Sequence, residues 1–332
     1  MEHRAHLAAP PDRVFAMIED LASANGFDLV RSEAGLTIDA PLGRVQMLRA
    51  GTGADIVFGA ESPAQLQLLK DLYAGRFAKL GLEAALSWDA GVARAPLNQT
   101  LAQVVGTQQI SPNFMRLRLE GDFSAFARSG AGLHFRLLFS STGAGWPMLD
   151  ERGITRWPDG VETWHRPPYT VRALAPGADW MDIDIVLHAG GRVTDWCQTV
   201  APGTEIALHG PSGTTQPTAS WLGLVGDETA LPVILRMVED ARPGTRGQAI
   251  ILIRDPADAQ PVETAADIAV QWGEMGAGDP TELLRELSPP DADCHIFFAA
   301  ERAQATQARA VFKELGFPAG TAKAASYWTR ST

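Results

Sequence analysis

The sequence predicts a mixed fold in three parts. These are a small α+β domain over residues 1–92, an antiparallel β-barrel over 100–215 and an α/β domain with a parallel sheet over 218–332. Three observations predict it. The chain has 332 residues, too many for one core of ordinary size. Residues 101–215 are a succession of short β-like runs broken by Gly, Pro and Ser, the texture of a barrel or sandwich. After residue 218, strand-like and helix-like runs alternate, which implies a parallel sheet.

The first domain opens with the alternating run HRAHLAA. Val14, Phe15, Ile18 and Leu21 then follow Pro10 and Pro11 at helical spacing. Four strand candidates come next: FDLVRS, GLTIDA, GRVQMLRA and DIVFGAE, punctuated by glycines. A second helix starts with Ser62 as N-cap and Pro63 in the first turn, and carries Leu66, Leu69, Tyr73, Phe77 and Leu80 on one face. Residues 90–99 read as a linker. The barrel strands include LAQVVGTQQ, NFMRLRLEG, LHFRLLFS, PYTVRAL, WMDIDIVLHA and TEIALHGP. In the last domain SWLGLVG, GQAIILIRD, CHIFFAA and TAKAASYW read as strands. ETALPVILRMVEDA, PTELLRELS and ERAQATQARAVFKELG read as helices.

Composition excludes several classes. Apolar content of 45% and charge of 20% are those of a soluble globular chain. The net charge of −11 and the absence of a Lys/Arg cluster argue against a nucleic-acid partner. No apolar run reaches the length of a membrane span, and the N-terminus has no secretory pattern, so a cytoplasmic protein without stable membrane insertion is expected. Cys197 and Cys294 stand alone, which argues against a disulfide framework, a zinc site or an iron–sulfur cluster, and no resident metal is expected.

Four motifs carry possible chemistry. In HRPPYTVRAL an extended strand offers an aromatic ring at Tyr169, a hydroxyl at Thr170 and cations at Arg166 and Arg172. Tyr169 could pack on a flavin ring, Thr170 could reach its reactive nitrogen, and an arginine could neutralise a pyrophosphate. A surface strand with two solvated arginines fits the same spacing equally well. In LHAGGRVTDW, Gly190 and Gly191 allow close backbone approach, and Thr194 can cap a helix beginning near Asp195, which makes an anion site or a plain turn. LVGDETALP is a strand–turn–helix junction of the kind that faces ligands in open α/β sheets, although an ordinary junction reads the same way. Tyr327 and Trp328, near the C-terminus, are either core residues or a cover for a cofactor ring.

Taken in order, these pieces resemble the siderophore-interacting protein family, flavin-dependent ferric-siderophore reductases of the ferredoxin–NADP reductase superfamily. The resemblance rests on ISPNFMRLRLEGDF, HFRLLF, PYTVR, VLHAGGRVTDW, APGTEIALHGPSG, GDETALPVILRMVED and SYW, and covers roughly residues 100–330. Residues 1–92 look like a small uncharacterised domain fused ahead of such proteins, with no role or partner implied.

The resemblance implies FAD and NAD(P)H as cofactors. It places Tyr169 and Thr170 at the reacting ring and assigns FAD contacts to Arg166, Val171, Arg172, His188, Gly191, Val193, Thr194 and Trp196. Asp227, Glu228, Thr229 and Ala230 fall in the turn facing the flavin, with Trp328 near the ring. The arginine usual two residues before the tyrosine is Pro167 here, and Arg166 stands one residue earlier. Arg172, Arg302, Lys323 and Arg330 are candidates to attract an anionic ferric siderophore. The expected activity is electron transfer from NAD(P)H through flavin to siderophore-bound Fe(III), releasing Fe(II). The alternatives are a non-catalytic flavin or siderophore carrier and a general NAD(P)H:flavin reductase.

Overall fold

A computed structural model describes residues 1–89, 95–290, 293–318 and 320–330. Of the expected linker, residues 90–94 lie outside the described residues, as do the last two of the C-terminal motif, 331 and 332. The chain forms two compact units. One comprises Met1–Thr100, Arg136–Pro167 and Ala207–Gly210, and the other Leu101–Phe135, Pro168–Ile206 and Pro211–Thr332.

In the first unit β1 (Glu2–Leu7), α1 (Asp12–Asn25), β2 (Asp28–Ser32), β3 (Gly35–Ala40), β4 (Gly43–Ala50), β5 (Gly53–Gly59) and α2 (Pro63–Lys79) follow the order read from the sequence, and a further strand, β6 (Leu86–Trp88), follows them. The strands make an antiparallel sheet in the order β2-β3-β4-β5-β1-β6. Ser62 caps α2 by accepting a hydrogen bond from the Gln65 amide, with Pro63 in the first turn where its missing N–H costs nothing. The period-2 pattern of the strands sends Leu36, Ile38, Val45, Met47, Ile56 and Phe58 into the core, where they meet Val14, Phe15 and Ile18 of α1 and Leu69, Tyr73 and Phe77 of α2. Full burial of each such side chain contributes about 2 kcal/mol.

The hairpin β10 (Met148–Leu149) and β11 (Thr155–Arg156) belongs to the same unit. It is fastened to α2 by Asp71, whose carboxylate accepts from the Thr155 amide at 3.0 Å, the Thr155 hydroxyl at 2.6 Å and Gln67 at 2.9 Å.

The expected barrel comprises β7 (Gln99–Ser111), β8 (Phe114–Gly121), β9 (Gly132–Leu138), β12 (Pro168–Thr170), β13 (Ala173–Leu174), β14 (Trp180–Val186) and β15 (Glu205–Thr215), with α3 (Arg192–Thr199) between the last two. These seven strands form one sheet, ordered β12-β9-β15-β7-β8-β14-β13. The β7–β8, β8–β14 and β13–β14 pairs are antiparallel.

The α/β part of the second unit is a parallel sheet in the order β18-β17-β16-β19-β20. Its elements are β16 (Trp221–Asp227), α4 (Leu231–Glu239), β17 (Arg246–Ile253), β18 (Asp267–Glu274), β19 (Cys294–Glu301), α5 (Arg302–Glu314) and β20 (Ala322–Trp328). All seven residues of β16 are buried, as the central strand of a two-sided sheet must be.

The structure differs from the sequence reading in several details, among them β6 and the hairpin β10–β11, which were not read as strands. PTELLRELS forms only a 3₁₀ turn, Glu282–Arg285, held by the Asp279 side chain accepting from the Thr281 amide and hydroxyl; Pro289 and Pro290 close the segment. Strand β18 was not anticipated. As an edge strand it carries Asp267, Gln271 and Glu274 among its apolar residues, so its pattern is diluted.

Candidate functional site

The second unit brings most of the singled-out residues to three neighbouring features. The first is the strand through Thr170. The Val171 amide donates to the Leu133 carbonyl at 2.9 Å, and Arg236 of α4 donates to the Val171 carbonyl at 2.7 Å. Thr170 and Val171 are buried. The Arg172 guanidinium is buried too, gripping Glu239 of α4 with both terminal nitrogens, at 2.5 and 2.8 Å, while its Nε lies 3.6 Å from Asp184. Asp184 in turn takes a bidentate pair from Arg116, and Asp182 one from Arg118. Arg172 thus ties strand to helix within a network of alternating charges. Tyr169 is partly buried beside Cys197 of α3. Burial, and secondarily that thiol, push the tyrosine hydroxyl pKa up, and burial alone pushes the thiol up to about 12.

The second feature is the turn before α3. The helix starts at Arg192, with Gly191 as N-cap and no side-chain cap, earlier than the expected start near Asp195. Thr194 therefore lies inside the first turn, where its hydroxyl accepts from the His188 amide at 3.3 Å. Gly190 has φ +72°, a left-handed conformation that suits glycine. A Cβ on Gly191 would lie 2.6 Å from His188 Cε1 and 2.9 Å from Thr194 Oγ1, so the histidine ring folds over bare backbone. The first amides of a helix have no intrahelical acceptor, and the Gly191 N-cap has no side chain to supply one. Val193 and Cys197 bury the inner face of α3, and Trp196 is half-buried.

The third feature is the C-terminal edge of the parallel sheet, where open α/β folds bind ligands. Asp227, Arg254, Glu301 and Trp328 stand at the ends of β16, β17, β19 and β20. Gly226 lets the chain turn tightly, since a Cβ there would lie 2.6 Å from Ala230 Cβ and 2.8 Å from the Ala299 carbonyl oxygen. The Asp227 carboxylate accepts from the Thr229 amide at 2.9 Å, the Thr229 hydroxyl at 2.5 Å and the Trp328 indole at 2.7 Å. Burial raises its pKa, and these hydrogen bonds oppose the rise. Glu228, also buried and raised, pairs with Arg254 at 2.6 Å. Arg254 also donates to the Leu187 carbonyl at 3.0 Å, which links this edge to the His188 turn. Tyr327 shares a 2.5 Å hydrogen bond with His134, whose pKa burial lowers to about 4 and whose Nδ1 is buried without a partner.

The remaining candidates are placed differently. Arg166 belongs to the first unit, where its guanidinium lies 4.9 Å from the centre of the Trp157 ring and its carbonyl accepts from Arg136 at 2.7 Å. Lys323 and Arg302 are exposed, although the surroundings of the Lys323 ammonium lower its pKa by desolvation. The Arg330 amide donates to Glu301 at 3.3 Å. Sequence reasoning missed Arg254, Arg236 and His134. Arg254 alone had a signal, a cation just beyond the apolar run AIILI that ends β17. Among the described residues no His, Cys, Asp and Glu gather as a metal site, and no helix is long and apolar enough to cross a membrane.

Residues 103–215 match the model of the siderophore-interacting FAD-binding domain, and residues 219–331 match that of the siderophore-interacting protein. The chain belongs to the siderophore-interacting protein family. This siderophore-interacting protein is similar to the NADPH-dependent ferric-chelate reductase of Escherichia coli, with 25% identity over 68% of this chain and 91% of the relative. It is similar in structure to a siderophore utilization protein from T. fusca, with TM-score 0.61 and 25% identity over 74% of this chain and 97% of that one. A ferredoxin NADP+ reductase from Neisseria gonorrhoeae shares the fold, with TM-score 0.51 and 10% identity over 70% of this chain and 99% of that one.

Proposed function

We propose that this siderophore-interacting protein is an FAD-dependent reductase that passes electrons from NAD(P)H to the iron of a ferric siderophore and releases Fe(II). The observation that carries this reading is the Gly191 cradle. The bare Gly191 backbone at the start of α3, closely covered by the His188 ring, lets a phosphate group approach the helix N-terminus when that ring swings aside. The residues present fit FAD: Thr170 with Tyr169 would hold the ring, and His188, Gly191, Val193 and Thr194 the pyrophosphate. Bound FAD supplies the exchange between a two-electron hydride donor and a one-electron iron acceptor.

The protein's own part is positional and electrostatic. Two hydrogen bonds, Val171 to Leu133 and Arg236 to Val171, fix the Thr170 strand, and the Arg172–Glu239 pair locks it to α4. Asp227 holds Thr229 and Trp328 at the sheet edge where a nicotinamide nucleotide would arrive. Lys323, Arg302 and Arg330 supply positive charge for an anionic siderophore. Neither FAD nor NAD(P)H requires a general base, and none is assigned.

One observation favours a second reading. Asp227 and Glu228 put two buried acids at the turn where a nucleotide phosphate would lie, which suits a flavin or siderophore carrier that takes no hydride. Anaerobic mixing of the FAD-loaded protein with NADH or NADPH separates the two. Bleaching of the flavin band supports the reductase, and persistent colour with both nucleotides supports the carrier.

A further inference from the structure

His134 and Tyr327, both in the second unit, have no part in the function proposed above. Strand β20 departs from regular pairing at its end. Ala300 faces Ser326 but Glu301 faces Trp328, so Tyr327 is the extra residue of a β-bulge. Bulges re-aim side chains, and here two neighbouring aromatics reach two different anchors. The Trp328 indole donates to Asp227 at 2.7 Å, while the Tyr327 hydroxyl meets His134 Nε2 at 2.5 Å. The tyrosine and histidine rings pack edge to face, with centroids 5.6 Å apart and planes at 88°.

The imidazole has a seat of its own. Gly213 of β15 faces it with bare backbone: a Cβ there would lie 3.0 Å from His134 Nδ1, and its φ of +78° suits glycine. The His134 carbonyl accepts from Ser212 Oγ at 3.3 Å. Burial, followed by the charges of Lys323 and Arg236, lowers the His134 pKa to about 4, so the ring is neutral near pH 7. Burial also raises the Tyr327 hydroxyl pKa, so the phenol keeps its proton and the bond joins two uncharged groups.

The place of His134 in its sheet gives this bond its reach. The carbonyl of its neighbour, Leu133, accepts from the Val171 amide at 2.9 Å, next to Thr170. Two successive residues of β9 therefore hold the strand proposed to face the flavin, through the main chain, and the end of β20, through a side chain. We propose that His134 is a positioning residue for electron transfer from nicotinamide to flavin: by gripping Tyr327 it fixes the end of β20, and Trp328 with it, relative to the Thr170 strand. His134 gives up no proton and takes none, and the hydride of the proposed reaction passes between the two cofactors alone. The inference rests on the reductase reading.

The test pairs hydrogen–deuterium exchange of the full chain without cofactor and stopped-flow reduction of the FAD-loaded protein by NADPH and by NADH. Tyr327→Phe deletes one oxygen, His134→Leu deletes the imidazole, and His134→Gln puts an amide nitrogen close to where Nε2 stood. Exchange over Ala322–Trp328 should quicken in Tyr327→Phe and His134→Leu, with β17 unchanged. The limiting rate of flavin reduction should fall about tenfold in both, the worth of one hydrogen bond, at unaltered FAD affinity. His134→Gln should restore both readouts. Unchanged exchange in Tyr327→Phe, or a wild-type reduction rate despite faster exchange, would overturn the proposal. So would reduction in His134→Gln as slow as in His134→Leu. If His134→Leu does not fold, Tyr327→Phe decides by itself. A wild type that neither nucleotide reduces brings down the reductase reading and the positioning role with it, and exchange then still decides whether the bond anchors β20.

Discussion

Arg254 holds the Glu228 carboxylate at 2.6 Å while its other end donates to the Leu187 carbonyl. One side chain therefore couples the edge of the parallel sheet to the turn that precedes α3. Arg254→Met would leave Glu228 buried and unpaired. With the arginine itself 37% exposed, the cost should be about 1–3 kcal/mol in urea unfolding at pH 7. The sign with pH follows from burial, which raises the Glu228 pKa above 4.5. Stability from this group is present below that value and is lost as pH rises through the folded pKa. Loss of Arg254 raises the folded pKa further, so the mutant should lose more stability than the wild type between pH 4.5 and neutrality. Parallel pH profiles would contradict this.

Gly191→Ala puts a methyl group 2.6 Å from His188 Cε1, which forces the ring off its seat at the turn proposed for the pyrophosphate. FAD affinity, followed by fluorescence quenching, should fall at least tenfold with little change in far-UV dichroism. If alanine binds FAD as glycine does, the turn is not the pyrophosphate site.

Thr170→Ala removes a buried hydroxyl from the strand proposed to face the flavin. Stopped-flow reduction by NAD(P)H should slow about tenfold, the equivalent of one hydrogen bond of about 1.4 kcal/mol, with FAD still bound. An unchanged rate takes Thr170 out of the reaction.

Asp258 is wholly buried and accepts from Ser111 Oγ at 2.6 Å, the Asn113 amide at 2.9 Å and Asn113 Nδ2 at 2.7 Å. Burial opposes its charge, but these hydrogen bonds outweigh it and hold the carboxyl below 3.8. A depressed carboxyl stabilises the fold above its unfolded pKa and ceases to as pH falls through the folded one. Asp258→Ala should therefore cost about 1–3 kcal/mol at pH 7, and the gap to wild type should narrow below pH 3.8. A gap of equal size at pH 7 and pH 3 would show that the carboxylate charge is not responsible.

Local signals account for what the sequence revealed. Ser62 and Pro63 announced α2, glycine-punctuated runs announced β3 to β5, and the unbroken apolar run announced β16, because each element is decided by its own residues. The 3₁₀ turn at Glu282–Arg285 and edge strand β18 escaped because prolines and a polar edge obscure periodicity. At the candidate site the tyrosine–threonine strand and the double glycine were visible as motifs. The partners of Arg172 were not: Glu239 lies 67 residues away and Asp184 on another strand, and no spacing encodes either. Nor could spacing show that Trp328 donates to Asp227, 101 residues earlier.

The most direct measurement is an anaerobic spectral titration of the protein loaded with FAD. NADH or NADPH should abolish the visible flavin absorption, and a ferric siderophore added next should restore it as an Fe(II) chelator develops colour. A protein that takes up no FAD from an excess, or whose bound flavin neither nucleotide reduces, would contradict the account.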